Sequence, residues 1–276
     1  MSTHEPSSPT ASPSAHRPAA EGVPVALPPA LHIDGAVATI TLRRPAVANR
    51  LELSDLEVLQ AHLAEVNARP EVLVLRLQGL GRHFCSGFNL GDAGEHITNA
   101  AESFEALAAA LEAARPVTVA VINGGLYGGA TDLALACDFR IGTTAAEMFV
   151  PAAQLGLLFY RGGMERYVAR LGLPMARRIL LAAEKFEASQ MLSLGYLDRM
   201  VEPQALAEAG QAWCDRLAGM APLALLGMKR HLNAMGRGAL DEAALAADIA
   251  HVNASEDLRE GVRAWQEKRK AVFTGR

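Results

Sequence analysis

Two short apolar runs, each followed by a glycine-rich turn and then a helix-forming stretch, constrain this chain more than any other feature. Val72 to Leu77 (VLVLRL) and Val117 to Ile122 (VTVAVI) are too short for helices and too evenly apolar for strands with one wet face. Such runs are strands buried on both sides, as in parallel sheets. The first leads into a loop with Gly79, Gly81 and Gly87, then an alanine-rich helix over about 99–114. The second leads into Gly124-Gly125-Leu126-Tyr127-Gly128-Gly129, with a helix from about Ala130. Repeated strand, turn and helix argue for a parallel α/β layer.

Around these units the chain reads simply. Leu31 to Leu42 predicts a hairpin on the turn pair Asp34-Gly35. Ser54 and Glu57 form a capping-box pattern ahead of Leu56, Leu59, Leu63 and Val66 at helical spacing. After Gly156 the pattern is helical, over 162–171, 174–183, 187–194, 203–219, 222–235, 239–252 and 256–270, with little strand signal. Leu206, Trp213, Leu217 and Met220 make one apolar stripe, and Leu258, Val262 and Trp265 another. Seven of the 14 prolines fall in the first 30 residues among Ser, Ala and Thr, a composition expected to stay disordered. It lacks the marks of a secretory or transit signal. The division expected is a tail over 1–30, an α/β core over 31–200 and a helical region over 201–276.

The turns carry the chemistry. Glycine lets a backbone approach a ligand closely. A helix that begins at Gly128–Gly129 leaves its first N–H groups without intrahelical partners. Two such donors converging on one oxygen make an oxyanion hole. The chain has no G-x-x-x-x-G-K-[ST], no G-x-G-x-x-G and no G-x-S-x-G, which removes the P-loop, dinucleotide and α/β-hydrolase readings.

Five motifs in register resemble the enoyl-CoA hydratase/isomerase (crotonase) superfamily over roughly residues 31–275. Arg44 to Leu51 resembles its R-P-x-x-x-N-x-L stretch. His83 to Leu90 resembles F-x-x-G-x-D-L, with Asn89 where Asp is usual. Asn123 to Asp132 resembles N-G-x-x-x-G-G-G-x-[ED], with Ala130 for the third glycine. Ala136-Cys137-Asp138 and Arg259 to Arg269 resemble the x-C-D and R-E-G-x-x-A-F-x-E-K-R segments. The resemblance implies a crotonase-like (ClpP/crotonase) spiral of ββα units with a C-terminal helical trimerisation region. It implies an acyl-CoA substrate whose thioester carbonyl lies between the N–H groups of Cys85 and Gly129, which stabilise an enolate. It assigns CoA and substrate contacts to Ala48, Asn49, Ser86, Gly87, Phe88, Leu90 and Gly128. Lys270 and Phe273 would reach the CoA of a neighbour in a homotrimer or dimer of trimers. No cofactor is implied beyond the coenzyme A of the substrate.

The departures from the family pattern choose among reactions. Hydratases use two carboxylates, one at the end of the Gly-Gly turn and one in a P-E-x-x-x-G segment. The first position is Asp132 here; the second is Ala152 in Pro151 to Gly156, which cannot transfer a proton. Asp132 is the candidate base, with a pKa expected to be raised by an apolar acyl pocket; its structural alternative is to complement the helix N-terminus. Tyr160 is the second candidate, as proton donor or, like Arg161, as a hold for a substrate carboxylate; its alternative is a wall residue. Tyr127 has the same standing. His83 reads as a loop hydrogen-bonder, Asp138 as a structural one, and the Cys85 thiol as incidental. Phe88, Leu90, Leu157 and Phe159 would wall the acyl pocket. One acid suits double-bond isomerisation better than hydration. The alternatives are an acyl-CoA decarboxylase and an inactive acyl-CoA binder.

Composition agrees with a soluble cytoplasmic protein. The net charge of −4 argues against a nucleic-acid surface, and no run of 18 apolar residues suggests a membrane span. Cys85, Cys137 and Cys214 are odd in number and unpaired by spacing, and no histidine set has metal-ligand spacing.

Overall fold

A computed structural model describes residues 27–89 and 97–276. Leu90 and the tail over 1–26 lie outside the described residues. The chain begins with strand β1 (Leu27–Asp34), which turns at Gly35 into antiparallel β2 (Val37–Arg43). The strand thus takes in Leu27 to Ala30, read above as tail. Pro28 and Pro29 are tolerated because β1 is a sheet edge, and the register shifts between Leu27 and Ala30.

Helix α1 (Leu53–Asn67) follows. Its capping box is formed by Glu52 and Asp55 rather than Ser54 and Glu57: the Glu52 N–H donates to Asp55 Oδ2 at 2.9 Å. Arg44 then pairs with the buried Asp55 at 3.0 Å, which ties the helix start to the end of β2. Strand β3 (Val74–Gly79), helix α2 (Ile97–Glu112), strand β4 (Val117–Ile122), the two-residue strand β5 (Leu126–Tyr127) and helix α3 (Gly129–Ala136) come next. Then come β6 (Phe139–Thr143), β7 (Glu147–Phe149), α4 (Arg161–Leu180), β8 (Phe186–Glu187), α5 (Ala188–Ser193) and β9 (Arg199–Val201). The chain closes with α6 (Leu206–Ala218), α7 (Pro222–Gly236), α8 (Glu242–Asn253) and α9 (Glu256–Gln266). Helix α4 kinks at Gly172, whose φ is 79°, just ahead of Pro174.

The main sheet has the order β1-β2-β3-β4-β6-β9, parallel from β2 onward; β5, β7 and β8 form a second, small sheet. Strand β4 shows why the apolar runs are continuous. Val117, Val119 and Val121 face one core with Leu206, Ala209, Cys214 and Leu217 of α6. Ala120 and Ile122 face the other, with Leu56, Leu59, Leu107 and Leu133. Both faces are dry, and each fully buried aliphatic side chain contributes about 1.5–3 kcal/mol. After Gly156, where little strand is expected, the strands among the described residues are β8 and β9. They are two and three residues long, too short for an alternation to register in sequence.

This topology sets β3 and β4 side by side and pointing the same way. Their following loops, 80–89 and 123–129, therefore leave from one edge of the sheet. Ligands in open α/β sheets bind at such carboxyl edges.

Candidate active site

The first loop is braced from beneath. Asn49 sits in the left-handed region (φ 53°) and is 1% exposed. Its Nδ2 donates to the carbonyls of Leu80, His83 and Phe84 at 2.8, 2.9 and 3.1 Å, and its Oδ1 accepts the Arg44 N–H at 2.9 Å. Its side chain, expected from sequence to lie at the CoA, is thus engaged as a strut of the loop. Ser86 N–H donates to the Ala48 carbonyl at 2.8 Å. Leu51 N–H donates to the Gly87 carbonyl, and Asn89 N–H to the Leu51 carbonyl, both at 2.9 Å. Ala48, Ser86, Gly87 and Phe88 are thus brought together.

The hydrogen bonds decide which N–H groups are available. The Cys85 N–H donates to the Gly125 carbonyl at 3.4 Å, and the Cys85 carbonyl accepts from Tyr127 N–H at 3.1 Å. Cys85 is engaged with β5. Phe88 pairs with Leu51 in a parallel bridge in which the neighbours of Phe88 make both bonds. Its own N–H points to the other side and has no partner among the described residues. Gly129 opens α3, and its N–H is likewise free, whereas the Gly128 N–H donates to the Phe149 carbonyl at 2.9 Å. A Cβ on Gly87 would lie 3.4 Å from Gly129 N, so the Gly87–Phe88 stretch faces the start of α3. Phe88 and Gly129 thus carry unpartnered N–H groups, whereas the N–H of Cys85, expected as a donor alongside Gly129, is taken up by Gly125.

Two glycines make this approach possible. Gly128 has φ 54° and ψ −129°, a conformation closed to other residues. A Cβ on Gly129 would lie 2.7 Å from the Phe104 ring.

One turn further along α3, Asp132 is fully buried. It is not isolated in apolar surroundings, as the sequence suggested. Arg166 of α4 grips it with two N–H donors, Nε to Oδ1 at 2.9 Å and Nη2 to Oδ2 at 2.6 Å. The Tyr160 hydroxyl donates to Oδ2 at 2.5 Å. Tyr160 is half-buried and stacks on Phe159, ring centroids 4.6 Å apart. It also lies 6.1 Å from the ring of Phe104, which packs on Gly129. Tyr160 therefore bonds the buried carboxylate and neighbours the Phe104 ring that packs on Gly129. Burial, and then the charge of Asp132, pushes the phenol well above its ordinary value, so it stays protonated.

Sequence reasoning missed Arg166. The signal was present: Gly163, Arg166, Tyr167 and Arg170 share one face of α4, and arginines on a buried face call for acid partners.

The other candidates fall elsewhere. Ala152 packs against the core in a short 3-10 turn and brings no acid. Arg161 is 86% exposed in its side chain and pairs with Glu165. The Tyr127 hydroxyl donates to Glu147 at 2.7 Å. His83 is half-buried, with its ring 5.9 Å from that of Tyr127. Asp138 accepts from Thr118 and Lys229, a structural role. Lys270 is exposed, and Phe273 lies against Gly261 of its own α9. The Cys85 thiol donates to the Asn49 carbonyl at 3.1 Å. Burial pushes the thiols of Cys85 and Cys137 up to about 12 and that of Cys214 to about 11. Raised values mean less thiolate at any pH below them. Iodoacetamide at about pH 8.5 is expected to label native protein at least about 100-fold more slowly than unfolded protein, as read by mass spectrometry.

Residues 32–276 match the family described as enoyl-CoA hydratase/isomerase. The chain belongs to that family. Among similar proteins, the short-chain-enoyl-CoA hydratase of Clostridium acetobutylicum is 28% identical over 248 residues, covering 87% of this chain and 95% of that protein. The peroxisomal Delta(3,5)-Delta(2,4)-dienoyl-CoA isomerase of Arabidopsis thaliana is 27% identical over 259 residues, covering 87% and 93%. The solved structure of an enoyl-CoA hydratase from Bacillus anthracis is 25% identical with a TM-score of 0.82, covering 91% of this chain and 100% of that one. Membership of the hydratase/isomerase family makes the chain an acyl-CoA enzyme with the crotonase fold. Among the described residues no helix is long and apolar enough to cross a membrane.

Proposed function

We propose that this enzyme binds an acyl-CoA with its thioester oxygen between the N–H groups of Phe88 and Gly129, and shifts a double bond along the acyl chain. The observation that carries this reading is the pair of unpartnered N–H groups on the two turns together with a proton-accepting site one helical turn along α3, Asp132 bonded by Tyr160. In a 3-enoyl-CoA the Cα–H bond breaks and its electron pair delocalises onto the thioester oxygen. Two N–H donors there stabilise the charge, each by about 3–4 kcal/mol in the transition state. Asp132 is enclosed by Arg166 and Tyr160, so the proton passes to the Tyr160 oxygen as the Tyr160 proton passes to Asp132 Oδ2. Reversal of the relay delivers a proton to Cγ. No phenolate forms at any stage, which suits a phenol whose ionisation is suppressed.

Hydration would need a second group to hold water, and Ala152 offers none. Arg166 supports a second reading, because it neutralises Asp132 in the resting state. Loss of CO₂ from a malonyl-type acyl-CoA needs the hole but no base. The exposed stripe of Leu258, Val262 and Trp265 on α9 (41, 51 and 86% exposed) supports assembly as a homotrimer or dimer of trimers. A cytoplasmic location fits the buried, reduced cysteines.

The test is an assay of three substrates. 3-Hexenoyl-CoA is expected to convert to the conjugated 2-enoyl isomer, read by ultraviolet absorbance. Crotonyl-CoA is expected to gain no water, and methylmalonyl-CoA to be turned over more slowly than 3-hexenoyl-CoA. Hydration of crotonyl-CoA as fast as isomerisation would overturn the assignment, and binding without turnover of any of the three would point to an acyl-CoA binder.

A further inference from the structure

Arg166 stands between two carboxylates. Nε and Nη2 hold Asp132, while Nη1 donates to Glu112 Oε2 at 2.9 Å. Glu112, the last residue of α2, is also held by Arg170 at 3.2 Å and by Arg237, which caps α7. Burial pushes its carboxyl up, but hydrogen bonds from Arg166 and Arg237 outweigh that and hold it below the usual range. The side chains of Arg166 and Glu112 are 4% and 7% exposed, that of Arg237 50%. Glu112, Arg166, Arg170 and Arg237 line a cleft of about 1390 Å³ between α4 and α7 that includes none of the turn residues 85–88 or 128–129.

We infer that Glu112 is a positioning residue for the proton step: it holds Arg166 from the side opposite Asp132 and limits how fully the guanidinium neutralises that carboxylate. The inference rests on the reading of Asp132 as proton acceptor. A guanidinium shared between two acids compensates each only in part. Without the Glu112 charge, Asp132 loses a like charge nearby and keeps Arg166 to itself, and both changes weaken it as a base. Without Arg237, Glu112 draws harder on Arg166 and Asp132 becomes a stronger base. The other titratable groups around Asp132 are the phenols of Tyr160, Tyr167 and Tyr196, all pushed up by burial first and therefore neutral. On the Glu112 side, Glu105 accepts the Gly162 N–H, and Arg170 faces Arg140 and Asp138.

Exchange of the α-protons of butyryl-CoA in D₂O, followed by mass spectrometry against pH, tests this without depending on the net reaction. Glu112→Gln is expected to move the acidic limb of the exchange rate down by about one pH unit and to lower the plateau about tenfold. Arg237→Gln is expected to move the limb up, and butyryl-CoA affinity to hold within about twofold in both. A merely structural role would not move the limb in opposite directions. If Glu112→Gln fails to fold, the half-exposed Arg237→Gln still decides the sign. The inference is overturned if Asp132→Asn abolishes exchange while both other variants keep the wild-type limb. If Asp132→Asn itself exchanges at the wild-type rate, the base is misassigned and the inference falls with it.

Discussion

Replacing Asp132 with Asn is expected to reduce isomerisation of 3-hexenoyl-CoA by about 10³-fold, with KM changed by less than about threefold. The amide keeps the shape and part of the contact with Arg166 but cannot take the proton handed on by Tyr160. The small change in KM follows from burial: Asp132 is fully enclosed, and on the proposed placement the substrate would meet Tyr160 and the two N–H groups instead. A melting curve must accompany the kinetics. Removing one partner of a buried ion pair costs about 3–5 kcal/mol, and here Glu112 remains to hold Arg166. A folded protein at the assay temperature with turnover lost identifies chemistry; full turnover would sink Asp132 as the base.

Gly87→Ala is the second large effect. Gly87 has φ 86°, where a Cβ is strained by about 1–2 kcal/mol. The added methyl would also lie 2.7 Å from the Tyr127 carbonyl oxygen and 3.4 Å from Gly129 N. Relief requires loop 85–88 to move away from α3, which separates the two donors. Turnover is expected to fall by about 10²-fold or more, the effect of losing one oxyanion donor. Gly156→Ala is the control, since φ is 72° there with nothing within 4 Å of the new Cβ. It should show the backbone strain in the melting temperature and leave kcat nearly unchanged. Equal losses of turnover in both variants would mean that the Gly87 effect is strain alone.

Much of this was legible in the sequence. VLVLRL and VTVAVI read as parallel strands because dryness on both faces leaves no alternation, and the structure places them side by side as β3 and β4. The turns read as backbone sites because glycine is needed where chain approaches chain. What escaped was whatever depends on direction or on partners distant in sequence. That the Cys85 N–H is engaged and the Phe88 N–H is left free could not be read, because N–H direction in an irregular loop is fixed by the bridges to Leu126 and Leu51. The first helix cap was set two residues late, because Glu52 and Asp55 imitate the more familiar Ser and Glu pattern. Asp132 looked solitary because Arg166 lies 34 positions along the chain.

The most direct test of the hole is the carbonyl stretch of bound acyl-CoA. Butyryl-CoA labelled with ¹³C at the thioester carbon can be followed by isotope-edited infrared difference spectroscopy. Two N–H donors aimed at the carbonyl oxygen should lower its stretching frequency on binding relative to water, and Gly87→Ala should abolish most of that shift. A bound carbonyl at or above its frequency in water would contradict the placement of the thioester between Phe88 and Gly129.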